Sequence, residues 1–93
     1  MGLEIIEILL IFEEEFRIKI PDEAIQPMET AGDLYELVVT QIRKQHPDRF
    51  DANDSYGDQV WQTIKWTLHE VVGTDLDVIR MESRLDKDIG IMS

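Results

Sequence analysis

The first sixteen residues constrain this chain most, because they spell a hydrophobic helix that ends in acid, GLEIIEILLIFEEEF over residues 2–16. At 100° per residue, one side of that helix collects a buried stripe of four large residues. The stripe is Ile5, Leu9, Phe12 and Phe16. Further aliphatic residues lie outside it, and we expect Ile8, Leu10 and Ile11 to form an exposed apolar patch. A helix that is apolar on nearly all sides is buried or meets a partner.

An acidic arc follows from the same periodicity. Glu7 and Glu14 are seven residues apart, so they fall nearly one above the other on a different side of the helix, with Leu10 beside them. The whole chain has 20 acidic and 9 basic residues and a formal charge of -11. Nucleic acid would be repelled by this charge, whereas basic protein surfaces would be attracted.

Length and composition predict one small domain with one core over residues 1–93. Hydrophobic residues make up 43% and charged residues 31%, which is typical of a folded soluble chain. The absence of cysteine excludes disulfides and thiolate metal sites. The first helix is too short and too acidic to span a bilayer. The start shows no basic segment of a signal peptide, and we expect a cytoplasmic protein.

Two more long helices are predicted. Thr30 and Asp33 form a variant of the capping box, and a helix follows to about Lys44. Its buried stripe is Leu34, Leu37, Val38 and Ile42. A third helix runs over 58–72 and ends at Gly73, a natural C-cap. Its stripe is Val60 or Trp61, Ile64, Leu68, and Val71 or Val72, which leaves Trp66 at a margin or in a contact with another chain.

The segments between the long helices are shorter and more polar. Residues 17–20 read as an extended connector, and a short helix begins at Pro21 and ends before Pro27. Residues 46–57 read as a linker, because they are rich in turn-forming residues. Their alternating Asp51, Asn53 and Ser55 invite comparison with a calcium loop, but the glycine is one place late and Gln62 stands where such loops have glutamate. We therefore predict no metal site.

The first helix resembles the second helix of acyl carrier proteins. In that family the helix begins at a Gly-x-Asp-Ser motif, whose serine carries 4′-phosphopantetheine, and runs into a Glu-Glu-Phe ending. The match here extends from Gly2 to Phe16. Glu4 replaces the aspartate and Ile5 stands in place of the serine, so this copy of the motif cannot be loaded.

The chain from Val60 onward resembles the beginning of an acyl carrier protein, which leads through a long loop to the attachment motif. The matching positions are Gly73, Asp75, Asp77, Ile79, Glu82, Ser83, Leu85, Asp88, Ile89 and Gly90. In this register Ser93 is the pantetheine serine, although Met92 stands where the family has aspartate.

Together the two matches imply a carrier protein with its halves in reversed order. Residues 1–45 resemble the second half, 46–57 link, and 58–93 resemble the first half. The implied fold is all-α, a circularly permuted four-helix bundle of three long helices and one short one. A permuted monomer, a domain-swapped homodimer and a piece cut from a tandem carrier array all fit this order.

The resemblance implies an acyl carrier of fatty-acid or polyketide type that holds acyl groups on a 4′-phosphopantetheine arm at Ser93. Its acidic helix, through Glu4, Glu7, Leu10 and Glu14, would dock basic surfaces of acyl-processing enzymes. We expect the isolated chain to lack the arm. The alternative is a carrier fold without prosthetic group that acts as an interaction or regulatory module. Neither paired nucleophile and base nor a phosphate-binding loop is evident, so we predict no enzyme activity and no contact with nucleic acid or membrane.

Overall fold

The computed structural model describes residues 3–25, 28–49 and 55–91, and these residues fold into helices. The long helices are α1 (Leu3–Phe16), α2 (Ala31–Gln45) and α3 (Tyr56–Val72). Single turns of 3₁₀-helix span Asp22–Ala24 and Leu76–Val78, and a π-helical turn spans Leu85–Ile89. The described residues contain no β-strand beyond one isolated bridge between Thr30 and Arg84. The all-helical prediction is therefore confirmed, and the architecture is compatible with a helical bundle.

The core forms around α3, which packs against both α1 and α2. Each long helix buries most of the stripe that its periodicity predicts. Helix α1 buries all four members, and α3 buries Val60, Ile64 and Leu68 completely but Val71 and Val72 only in part. In α2, Leu37 is only partly buried and Val39 takes part in the core. The first and third long helices, α1 and α3, are therefore in direct contact.

The start of α2 is fixed by its own side chains. Thr30 Oγ1 accepts the backbone N–H of Asp33 at 3.1 Å, and the Asp33 carboxylate accepts the N–H of Thr30 at 3.1 Å, which completes the predicted capping box. The same carboxylate accepts the N–H of Glu29 at 2.9 Å. These hydrogen bonds, that from Glu29 above all, lower the pKa of Asp33, because they stabilise its charged form.

The first turn of α2 is also bound by a distant part of the chain. The N–H groups of Ala31 and Gly32 donate to the carbonyls of Ser83 and Met81 at 2.9 and 2.8 Å. In return, the N–H of Leu85 donates to the carbonyl of Glu29 at 2.9 Å. The first N–H groups of a helix have no partner within it, so these bonds satisfy donors that the capping box leaves over.

The segment after α3 is irregular yet belongs to the core. Ser83 Oγ donates to the Val78 carbonyl at 2.6 Å and accepts the Arg80 N–H at 2.9 Å, which folds the segment back on itself. Thr74 Oγ1 donates to the Ile89 carbonyl at 2.8 Å. The apolar residues held in this way are buried: Ile79, Leu85, Ile89 and Ile91.

Residues 46–49 bind the end of α1, although the sequence predicted a plain linker from 46 to 57. Arg49 Nη1 donates to the Phe16 carbonyl at 2.5 Å, and the His46 ring nitrogen Nε2 lies 2.6 Å from the Arg17 carbonyl. The predicted linker is also too long, because α3 begins at Tyr56 rather than at residue 58. Residues 50–54, including Asp51 and Asn53 of the calcium-loop comparison, lie outside the described residues.

The backbone of Met81 lies so close to Gly32 in the first turn of α2 that we expect replacement of Gly32 to destabilise the protein. A Cβ at Gly32 would lie 2.8 Å from the Met81 carbonyl oxygen, which is backbone and cannot rotate away. We expect Gly32→Ala to lower the free energy of unfolding by about 1–3 kcal/mol, the usual cost of overpacking.

Gly57 provides a matched control, because it too is the second residue of a long helix. A Cβ there would meet only the hydroxyl oxygen of Tyr35, at 2.9 Å. This oxygen is the far end of a side chain, which can shift more easily than a backbone carbonyl. We expect Gly57→Ala to change stability by less than about 1 kcal/mol, since alanine also favours the helix. Urea unfolding of both variants measures the difference, and equal stabilities would contradict the role given to the Met81 carbonyl.

Candidate functional site

The outward side of α1 combines exposed acid with exposed aliphatic side chains. Glu7 and Glu14 are exposed, and Leu10 between them is 55% exposed. Ile6, at 50%, and Ile11, at 40%, flank this line on either side. We call Ile6, Glu7, Leu10, Ile11 and Glu14 the α1 surface.

The predicted apolar patch is thus partly wrong. Leu10 and Ile11 are exposed as expected, but Ile8 is completely buried. It lies only 40° around the helix from Phe12, so it falls at the edge of the buried stripe rather than opposite it. Ile6 takes its place on the exposed side, a residue that the sequence marked only as lying outside the stripe.

Two grooves flank Leu10. One, of about 180 Å³, runs between α1 and the 3₁₀ turn at Asp22–Ala24, and its lining includes Ile6, Leu10 and Ile25. The other, of about 410 Å³, lies between Leu10 and the connector residues Ile18 and Lys19. Leu10 therefore separates two largely apolar grooves, and each groove is lined by at least one carboxylate.

The acidic residues at the end of α1 differ in what they can do. Glu13 accepts the Ile20 N–H at 2.8 Å through Oε2, so its carboxylate holds the connector that follows the helix. Glu7 and Glu14 extend into solvent and give the α1 surface its charge. A surface of this kind suits a partner that presents basic and apolar side chains next to each other, since the charges steer association while the apolar contacts exclude water.

For two of the predicted site residues, Ser93 and Glu4, the structure describes no side-chain position. Ser93 and its neighbour Met92 lie outside the described residues, and so does the side chain of Glu4. The description ends at Ile91, which is 1% exposed and donates its N–H to the Leu85 carbonyl at 2.7 Å. The chain is thus held in the core to within two residues of Ser93.

The described residues contain neither a metal-binding cluster nor a membrane-spanning helix. Ranges 3–25, 28–49 and 55–91 hold no group of three histidine or acidic side chains arranged for a metal ion. Within the same ranges, no helix has the length and apolar character that crossing a bilayer requires. Trp66, predicted at a margin of the α3 stripe or in a contact with another chain, is 56% exposed and lies outside the core. It faces away from the buried stripe, so the predicted margin position is wrong.

Comparison with known proteins gives no family assignment. No protein-family model matches the chain, and no solved structure matches it.

Neighbouring leucines on α1 give a direct test of which side faces solvent. Leu9 is 5% exposed and Leu10 is 55% exposed. We expect Leu9→Ala to lower the free energy of unfolding by about 2–5 kcal/mol, because it opens a cavity in the core.

Leu10→Ala is the matched variant, with the same chemical change one residue later. We expect it to alter stability by less than about 1 kcal/mol, as surface substitutions do. Thermal or urea unfolding of the two variants checks this, and a large loss in Leu10→Ala would mean that Leu10 serves the fold rather than a partner.

Proposed function

We propose that this chain is a carrier-protein-like domain of the cytoplasm that docks on basic surfaces of acyl-processing enzymes through the α1 surface. The observation that carries the proposal is the exposure of Leu10 between Glu7 and Glu14. A helix that buries its own stripe yet leaves three large aliphatic residues in solvent has apolar area to spare for a partner.

The charge of the chain supports a basic partner. With a formal charge of -11, the chain attracts cationic surfaces and repels copies of itself. The acidic residues of the α1 surface lie between apolar ones, so the same contact offers both long-range steering and local burial. Acyl carrier proteins, which the sequence resembles, present such a helix to their enzymes.

The position of the arm would be Ser93, as the register of the second resemblance implies. When attached, 4′-phosphopantetheine supplies the thiol that holds an acyl group as a thioester. This position for the arm is supported by the residues before Ser93, which are fixed to the fold. Gly90 takes the left-handed conformation at φ +90°, and Ile91 is buried. A chain fixed up to Ile91 limits where the serine can lie.

The alternative, a carrier-like module without an arm, uses the same α1 surface and differs only at Ser93. Met92 replaces the acidic residue of the family motif, and helix starts are stabilised by such acids. We therefore expect the chain isolated from its host to carry no arm.

The arm is tested by intact-mass spectrometry after co-expression with a broad-range 4′-phosphopantetheinyl transferase. We expect little or no modification, because Met92 stands where the family motif has the acidic residue that precedes the serine. Ser93→Ala is the control. A stoichiometric arm that disappears in Ser93→Ala would contradict this expectation and establish the carrier chemistry.

The docking surface is tested by binding to the same transferase immobilised on a sensor chip. We expect replacement of Glu7 and Glu14 by lysine to weaken binding by about fivefold or more at low salt, mainly through slower association. The matched control replaces Glu36 and Glu82, two exposed acids elsewhere, with the same change of charge. Equal loss in both variants, or no binding by the unaltered chain, would contradict the proposal.

A further inference from the structure

Trp66 occupies the middle of the solvent-facing side of α3. It is 56% exposed, and its neighbours on the helix surface are polar. Gln62 and Glu70 are exposed, and Thr63 and His69 are partly buried. A tryptophan that contributes nothing to the core, placed among polar residues, is the kind of side chain that dominates the binding energy of protein interfaces.

The indole is held in place from one side. The ring of His69 lies 5.4 Å from that of Trp66, centroid to centroid, at an angle of 46°. His69 is itself fixed, because its Nδ1 lies 2.8 Å from the Thr74 carbonyl and forms a hydrogen bond with it. Thr74 in turn donates to the Ile89 carbonyl in the buried segment. Trp66 is therefore backed by a chain of contacts that leads to the core, and less conformational freedom is lost when a ligand binds it.

The charge around Trp66 selects the ligand. Glu70 lies one turn after Trp66 and shares its side of the helix. Lys65, the residue before Trp66, is partly buried, and the fully exposed positions on that side of α3 are occupied by no lysine or arginine. An aromatic face attracts cations, arginine more often than lysine, because the flat guanidinium can stack on the ring. A carboxylate beside the ring can accept the N–H groups of the same guanidinium.

We propose that Trp66, together with Glu70, forms a binding site for an arginine side chain of a basic partner protein. The site is separate from the α1 surface, because it lies on another helix and shares no residue with it. A partner that engages both surfaces would gain affinity from the second contact without any change in the first.

The test uses two synthetic peptides, each acetylated and amidated, with four arginines or four lysines separated by glycines. Titration into ¹⁵N-labelled protein is followed at the indole N–H signals of Trp66 and Trp61. Trp61 is the internal reference, since its ring packs against Tyr35 at 5.9 Å and is only partly exposed. We expect the arginine peptide to shift the Trp66 signal at lower concentration than the lysine peptide does, and the Trp61 signal to move little.

Variants assign the effect to the site, and their affinities are measured at backbone amide signals, because Trp66→Ala has no Trp66 indole. We expect Trp66→Ala to weaken binding of the arginine peptide by about two- to fivefold, the range for an exposed cation–π contact, and to remove the preference over lysine. Glu70→Gln should weaken binding more than the matched control Glu36→Gln on α2. Replacing Glu7 and Glu14 by lysine should weaken both peptides alike and leave the arginine preference intact.

Two outcomes would overturn the proposal. One is equal affinity of Trp66→Ala and the unaltered chain for the arginine peptide. The other is an equal response of Trp66 to both peptides, which would reflect only the general attraction of an acidic chain for cations. Circular dichroism of Trp66→Ala is expected to be unchanged, because the side chain lies outside the core.

Discussion

The approach of residues 81–85 to the first turn of α2 is the contact on which the rest of the fold depends. It joins parts of the chain that are far apart in sequence and satisfies backbone donors on one side and an acceptor on the other. It also brings the buried residues of the last segment against the helices. Without it, α2 would lose partners for its first N–H groups, and the irregular segment would have no fixed place on the core.

The α1 surface is a second consequence of how the core is closed. The helices and the last segment together supply enough apolar residues to fill one small core, and α1 contributes more than the core can take. Ile8 goes inward and Ile6, Leu10 and Ile11 stay outside. An isolated exposed leucine needs no explanation, but three aliphatic residues on one helix, with acids between them, define a surface that an ordinary solvated helix face lacks.

Sequence periodicity predicted the three long helices and most of their buried residues, because each stripe is strong and each helix has a recognisable start or end. It failed at Ile8, since a helix that is apolar all round does not reveal where its buried side ends. It also missed the roles of His46 and Arg49, which bind carbonyls at the end of α1 from a segment rich in turn formers. The signal for them was that both are hydrogen-bond donors of basic type, which suit the carbonyls at a helix C-terminus, but sequence does not say which helix end a distant residue will meet. The left-handed Arg17, at φ +56°, gave no signal at all, because glycine is the usual residue there.

The connector after α1 shows how a backbone segment outside helix and sheet can be kept from pairing with another chain. The side-chain amide of Gln45 accepts the Lys19 N–H at 2.8 Å and donates to the Lys19 carbonyl at 3.0 Å. These are the two hydrogen bonds that a neighbouring β-strand would make with the same residue. Gln41 accepts from the same amide at 3.0 Å and fixes its orientation. The Gln45 side chain thus takes the place of a neighbouring strand. The N–H and C=O of Lys19 are already hydrogen-bonded, so a strand from another chain cannot pair with them.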